Sequence, residues 1–70
     1  DVSVKINNDN ILLTTMQKRK DGIAVRLFNT QNSVNTTDVF VLGSSAKISL
    51  EPFEYRTYIV KNGKISEVWE

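Results

Sequence analysis

The 70-residue chain contains no cysteine and no histidine, and it has one proline and three glycines. Without cysteine no disulfide can support a small fold, and without cysteine and histidine the usual zinc ligands are missing. The lack of histidine also excludes Ser/His and Cys/His nucleophile systems, and no glycine-rich loop precedes a helix. The sequence therefore predicts no catalytic residue, no cofactor-binding residue and no metal site in this chain.

The chain also lacks a large excess of either charge: it has nine basic and eight acidic residues, and its net charge is +1. This balance provides no strong field toward nucleic acid or an anionic membrane, so we expect neither as a partner. The longest basic run, Lys18-Arg19-Lys20, directly precedes Asp21-Gly22 and is typical of a solvated hairpin end. No apolar run approaches the roughly 20 residues that span a bilayer.

An alternation of apolar and polar residues with a period of two is present almost throughout the chain. Alanine occurs only twice while valine, isoleucine and threonine are abundant, which favours strands over helices. Asp21-Gly22 and Asn62-Gly63 are typical hairpin turns. We predict strands at residues 2–6, 11–17, 23–29, 39–42, 46–50, 53–60 and 65–69, with a loop at 30–37. The pattern indicates an all-β fold: one small antiparallel β-sandwich of immunoglobulin-like size, with about seven short strands over residues 1–70.

The stretch EPFEYRTYIV at residues 51–60 holds the only proline, which suits a strand start or an edge strand. Alternation then gives two faces. The first face comprises Phe53, Tyr55, Thr57 and Ile59, and the second comprises Glu54, Arg56, Tyr58 and Val60. We predict that Phe53 and Ile59 belong to the core, on the face opposite Arg56. Aromatic residues in a small sandwich usually fill the core, although on an exposed sheet face they can stack on sugar rings.

Two arginines lie at the centres of predicted strands. Arg26 stands between Ala24 and Phe28, and Arg56 stands between Glu54 and Tyr58. A guanidinium among apolar neighbours needs an ionic partner or an interface. Three roles stay open for each: an ion pair within the domain, docking against another domain, or contact with a ligand. The candidate domain-interface residues are Arg26, Asn29 and Arg56.

Two segments, GIAVRLFNTQ at 22–31 and ISLEPFEYRTYIV at 48–60, carry a resemblance to a known family. Together they resemble the C-terminal β-sandwich of glycoside hydrolase family 38, the α-mannosidases. That domain typically has an arginine-leucine-aromatic-asparagine strand, as at residues 26–29, and a Leu-x-Pro-Phe-Glu-x-x-Thr strand, as at residues 50–57. Residues 2–22 are similar to the strand pair that leads into the arginine strand, and Lys18 is the nearest counterpart of a lysine found there. The terminal hairpin at 61–70 departs from the pattern, and its role stays open.

The resemblance implies a role rather than a reaction for this chain. In the family the zinc ion, the aspartate nucleophile and the acid/base belong to an N-terminal α/β barrel, which these 70 residues do not contain. The chain starts at Asp1, and we expect it to be the C-terminal piece of a longer cytoplasmic enzyme of the bacterial type. Its partners are then the other domains of the same polypeptide, and it meets mannoside substrate only through the parent enzyme.

Two other interpretations of the sandwich stay open. A carbohydrate-binding module would need a row of exposed aromatic residues on one sheet. A structural immunoglobulin-like spacer would need no contact with sugar. The exposure of the aromatic side chains distinguishes these two alternatives.

Overall fold

The computed structural model describes residues 3–68, which form seven β-strands and no helix. The strands are β1 (Val4–Ile6), β2 (Ile11–Arg19), β3 (Gly22–Asn29), β4 (Asn35–Val41), β5 (Ser44–Leu50), β6 (Tyr55–Lys61) and β7 (Lys64–Val68). This part of the chain accordingly offers no long apolar helix that could cross a bilayer.

The strands form two antiparallel sheets, one of three strands in the order β1-β4-β5 and one of four in the order β2-β3-β6-β7. Side chains from the facing surfaces of both sheets fill the core between them. The buried core residues are Ile11, Val25, Leu27, Tyr58 and Val60 of the four-stranded sheet and Val39, Val41, Ile48 and Leu50 of the three-stranded sheet. The predicted small all-β sandwich of about seven strands is confirmed. Strand β3 is an inner strand of the four-stranded sheet, which suits its apolar residues on both faces.

Three hairpins close with turns of two residues. Lys61 pairs with Lys64 across Asn62-Gly63, and both turn residues have positive φ, 51° and 77°. These angles confirm the predicted turn, because a type I′ turn requires positive φ at both central positions. The β4–β5 turn, Leu42-Gly43, has nearly the same angles, 50° and 77°. Sequence reasoning missed this second turn, because it placed Leu42 at the end of a buried strand.

The boundaries of several strands differ from the predicted ones for local reasons. Strand β2 continues to Arg19, and the β2–β3 turn is Lys20-Asp21, so that Gly22 is the first residue of β3. Gly22 has a φ of +131°, and a Cβ there would lie 2.3 Å from the Val60 carbonyl oxygen. Because Gly22 has no side chain, strands β3 and β6 can approach closely next to the turn. Strand β4 begins at Asn35 within the predicted loop, because its polar residues find partners there: the buried Thr37 hydroxyl donates to Asn7 Oδ1 over 2.9 Å.

The proline stretch contains the largest correction. Pro52 and Phe53 occupy a turn closed by the Glu54 amide and the Glu51 carbonyl at 3.0 Å, and β6 begins only at Tyr55. Proline followed by a residue with positive φ, here Phe53 at 55°, has the features of a type II turn. The predicted core position of Phe53 is wrong, since this residue is 56% exposed.

The assignment of the two faces of β6 is inverted as well. Tyr58 and Val60 point into the core, on the face that also carries Arg56. Ile59 is buried as predicted, yet it alternates with them and lies on the outer face of the four-stranded sheet, opposite Ala24. The predictions for Val2 and Trp69 fall outside the described residues.

Candidate interaction surface

A cross-strand row of apolar residues lies on the outer face of the four-stranded sheet. Leu12 pairs with Phe28, and Phe28 pairs with Tyr55, so three neighbouring strands contribute one side chain each. Tyr55 is 60% exposed and Leu12 is also exposed, while Phe28 is half-buried between them. Aromatic and aliphatic side chains of paired strands stand close enough to form one continuous surface. We call these three residues the aromatic row.

Arg26 lies beside the aromatic row. Its Nε donates to Thr57 Oγ1 at 3.0 Å, and its guanidinium carbon lies 5.4 Å from the centre of the Tyr55 ring. That distance is within the range of a cation–π contact, which holds the long side chain against the sheet. The guanidinium therefore has a fixed position on the outer face, next to the apolar neighbours that the sequence indicates.

A bulge in β2 completes the surface. The register between β2 and β3 shifts between Leu13 and Thr15, and the Thr14 hydroxyl donates to the Arg26 carbonyl at 3.1 Å. Thr14, Arg26, Phe28 and Tyr55 line an open cavity of about 130 Å³. This volume is well below the roughly 300 Å³ of a typical small-molecule pocket. The cavity suits one inserted side chain or one edge of a sugar ring.

Arg56 is held by carboxylates of its own domain. Its Nη2 donates to Glu54 Oε2 at 2.7 Å and its Nη1 to Glu67 Oε1 at 3.5 Å. The Glu51 amide, at 2.8 Å, and the Arg56 guanidinium hold the pKa of Glu54 below its usual value. The hydrogen bond to Glu54 in turn raises the pKa of Arg56. An ion pair within the domain is one of the three roles that the sequence left open for Arg56.

Asn29 is completely buried, and its amide joins three segments of the chain. Nδ2 donates to the carbonyl oxygens of Ser33 at 2.8 Å, Leu50 at 3.2 Å and Glu51 at 3.0 Å. Oδ1 accepts from the Gln31 amide at 3.0 Å and from Asn35 Nδ2 at 3.1 Å. Every polar atom of this side chain is therefore engaged inside the sandwich, and Asn29 presents none of them at the surface.

The acidic residues form no metal site within residues 3–68, where no three of them lie close enough together to hold an ion. Glu51 and Glu54 share one turn, but the Glu54 carboxylate is bound to the Glu51 amide and to Arg56 rather than facing a second carboxylate. Glu51 and Glu54 therefore do not converge as the carboxylate pair that acid/base chemistry on a glycosidic bond requires.

Sequence reasoning missed two exposed apolar residues with left-handed backbone, Leu42 and Phe53. Each stands where turn geometry favours glycine, asparagine or aspartate. The glycine after Leu42 and the proline before Phe53 are the signals that could have located these turns. Comparison with models of protein families, with curated proteins and with solved structures found no match to this chain.

Proposed function

We propose that this chain is the non-catalytic C-terminal β-sandwich of a cytoplasmic family 38 α-mannosidase, where it packs on and supports the catalytic region. The order and spacing of the Arg26-Leu27-Phe28-Asn29 and Pro52-Phe53-Glu54 motifs support the family. The resemblance then implies that the parent enzyme hydrolyses α-mannosides and that its zinc ion belongs to the catalytic domain. This chain has no histidine or cysteine, the side chains that most often bind zinc.

The aromatic row is the observation that carries a docking role. Partner interfaces are enriched in aromatic residues and arginine at their centres, and side chains already held in place lose less entropy on binding. Here an exposed tyrosine and leucine flank a half-buried phenylalanine. The neighbouring Arg26 is fixed by Thr57 and by the Tyr55 ring. The proposed contact is between this outer face and another domain of the same polypeptide.

The test compares two aromatic substitutions in the full-length enzyme. Tyr55→Ser should lower activity or thermal stability of the enzyme, because it removes the most exposed ring of the docking face. Phe40→Ser is the matched control, since Phe40 is an exposed aromatic residue on the other sheet. Equal effects of the two substitutions would contradict docking through the aromatic row.

Arg26→Ala separates docking from folding. In the full-length enzyme it should lower activity or stability, whereas in the isolated 70-residue chain the loss should be much smaller, because no partner domain is present. Equal destabilisation in both contexts would assign Arg26 to the fold of the sandwich alone.

Carbohydrate binding by the same face is the second candidate. The exposed Tyr55 ring and the polar groups of Thr14 and Arg26 surround the cavity of about 130 Å³, and aromatic faces flanked by hydrogen-bond donors suit sugar rings. Titration of the isolated chain with mannose and mannan, followed by the backbone amide NMR shifts of Arg26 and Phe28, tests it. Saturable shifts that disappear in Tyr55→Ala would favour sugar binding, and a flat titration would remove it.

The isolated chain should not hydrolyse an aryl α-mannoside, with or without added zinc. The physical reason is the lack of histidine and cysteine and the engaged state of the Glu54 carboxylate. Turnover that is lost on substitution of Glu51 or Glu54 would overturn the non-catalytic assignment.

A further inference from the structure

Three hairpin turns lie together at one end of the sandwich. The β2–β3 turn is next to the end of β6, because Ile23 pairs with Val60 and Gly22 lies against the Val60 carbonyl. The β6–β7 turn is next to the start of β5, since a Cβ on Gly63 would lie 3.9 Å from Ser44 Oγ. We call this region, residues 18–22, 41–44 and 61–64, the hairpin end.

Basic residues are concentrated at the hairpin end. Its exposed lysines are Lys18, Lys20, Lys61 and Lys64. Arg19 lies there as well, and its Nε donates to Gln17, while Asp21 is the one acidic residue within these ranges. Among residues 3–68, none of the four lysines forms an ion pair. The opposite end carries Asp9, Glu51 and Glu54, so within residues 3–68 one end of a nearly neutral chain is basic.

An apolar side chain projects from the same end. Leu42 is 58% exposed and has a φ of 50°, a backbone conformation that disfavours leucine. The neighbouring turn has almost identical angles but uses Asn62, the residue type that this geometry favours. Exposed Phe40 lies two residues before Leu42 and borders the same open groove, together with Ser3 and Lys5. Neither turn geometry nor packing among residues 3–68 explains a leucine at this position, which points to a function.

We propose that the hairpin end binds the surface of an anionic phospholipid bilayer. Leu42 and Phe40 enter the interface, and the four lysines contact headgroup phosphates. Two residues along a strand span about 7 Å, so both apolar side chains fit within the roughly 5–10 Å depth of an interfacial contact. Stable membrane attachment usually combines apolar insertion with a basic patch, and this end of the sandwich supplies both.

The composition of the patch favours a bilayer over other anionic partners. Lysine is depleted at protein–protein interfaces and forms point contacts, whereas arginine is preferred where a fixed acidic group or a base edge is recognised. Four of the five basic residues here are lysine. An aliphatic side chain at the tip also has no obvious contact on a phosphodiester backbone, whereas it partitions into lipid.

The net charge of +1 suggests no membrane partner. Net charge is a poor guide here, because it sums a basic end and an acidic end of the sandwich. The membrane proposal is independent of the proposed docking role, since the aromatic row lies toward the other end of the four-stranded sheet, where Ile11 pairs with Asn29. The outer face could therefore pack on another domain while the hairpin end contacts lipid.

Vesicle sedimentation of the 70-residue chain tests the proposal. The chain should sediment with vesicles of phosphatidylcholine and phosphatidylserine and stay in solution with phosphatidylcholine alone. Added salt should weaken the binding, because it screens the lysines. Failure to sediment with the anionic vesicles, or equal sedimentation with both kinds, would overturn the proposal. Binding to a single-stranded oligonucleotide without binding to vesicles would also overturn it, and would assign the patch to nucleic acid.

A matched pair of variants isolates the apolar contact. Leu42→Asn and Phe53→Asn each remove an exposed apolar side chain from a residue with positive φ, at opposite ends of the molecule. Both substitutions suit the local backbone and should preserve folding, which circular dichroism checks. Leu42→Asn should reduce vesicle binding about tenfold or more, while Phe53→Asn should bind as the unaltered chain does. Equal binding by the two variants would overturn the insertion of Leu42.

A second pair isolates the charge. Lys61→Gln should weaken binding about fivefold, the typical contribution of one lysine near an anionic surface. Lys47→Gln is its control, because Lys47 is an exposed lysine that lies away from the hairpin end, near Asp38. Equal weakening by both substitutions would show that overall charge, rather than the hairpin end, drives the binding, and the proposal would fail.

Discussion

The two ends of this sandwich are connected by different means. At the hairpin end, turns of two residues join the strands and leave lysines and Leu42 exposed. At the opposite end, longer connections are fastened by side-chain amides: Asn29 holds Ser33, Leu50 and Glu51, and Asn8 Nδ2 donates to Asn35 Oδ1 at 3.2 Å. Side-chain amides therefore fix the loops that the small core does not reach, whereas two-residue turns close the hairpin end.

The largest expected effect on stability comes from Asn29, whose amide holds the loops at the end opposite the hairpin end. Asn29→Asp keeps the shape of the side chain but replaces an amide donor with a carboxylate facing three carbonyl oxygens. Leaving buried hydrogen-bonding groups unsatisfied costs about 1–3 kcal/mol each, so we expect a loss of about 3 kcal/mol or more in the free energy of unfolding, measured by urea denaturation. Asn10→Asp is the control at the same end, because its amide is exposed and makes a single bond to Asn35 at 3.3 Å. Similar losses for both would show that Asn29 has no special role.

Gly22→Ala tests the close backbone contact between Gly22 and Val60 at the hairpin end. A Cβ at Gly22 would lie 2.3 Å from the Val60 carbonyl oxygen, so strands β3 and β6 would have to separate. We expect a loss of about 2–3 kcal/mol, in the range of overpacking within a sandwich. Gly43→Ala should lose only about 1 kcal/mol from backbone strain, because nothing lies within 4 Å of a Cβ there. Thermal melting of both variants measures the difference, and equal losses would contradict the steric explanation.

An intermediate effect on stability should come from the turn at residues 51–54, at the end opposite the hairpin end. Glu54→Gln should lower stability by about 1 kcal/mol at pH 7, since it weakens hydrogen bonds to the Glu51 amide and to Arg56. The pKa of Glu54 is lowered in the folded chain. Its contribution is therefore present above the usual carboxyl pKa of about 4.3 and is lost as the pH falls through the lower folded value. Melting curves of the two proteins should converge in acid, and a constant difference between pH 7 and pH 3 would refute the assigned role of the carboxylate.

The smallest effect should come from exchanging residues between the two type I′ turns. Leu42→Asn should raise the free energy of unfolding by up to about 1 kcal/mol, and Asn62→Leu should lower it by a similar amount, because the two positions share the same backbone angles. Chemical denaturation measures both changes. Destabilisation by Leu42→Asn would show that Leu42 contributes to the fold itself, and would remove the reason to assign it a function.

The sequence allowed the fold class and the Asn62-Gly63 turn to be predicted, because both follow from local pattern. Alternation in β6 also separated its two faces correctly, but it could not say which face points inward, since both carry aromatic residues. The burial of Tyr58 and the exposure of Phe53 depend on packing against the other sheet. The type II turn at Pro52 was missed because Phe53 is an unusual residue at a position with positive φ.

The candidate surface was predicted only in part. Arg26 was identified from its apolar neighbours, and its position beside Phe28 follows from the alternation along one strand. The aromatic row was not predictable, because it depends on the register that joins Leu12, Phe28 and Tyr55 across three strands. The role of Asn29 inside the fold was equally hidden, since its partners Ser33, Leu50 and Glu51 come together only in the folded chain.

The order of the strands has a consequence for the time course of folding. Three hairpins close through two-residue turns, and such local pairs typically form within about 1–10 μs. The pairings of β1 with β4 and of β3 with β6 instead join segments about 30 residues apart. The chain loses the entropy of closing these long loops before the strand contacts form, which slows folding. We expect folding in milliseconds to seconds, with β1 added after the barrier. In stopped-flow experiments Ile6→Val should then mainly speed unfolding, whereas slower refolding of this variant would place β1 in the nucleus.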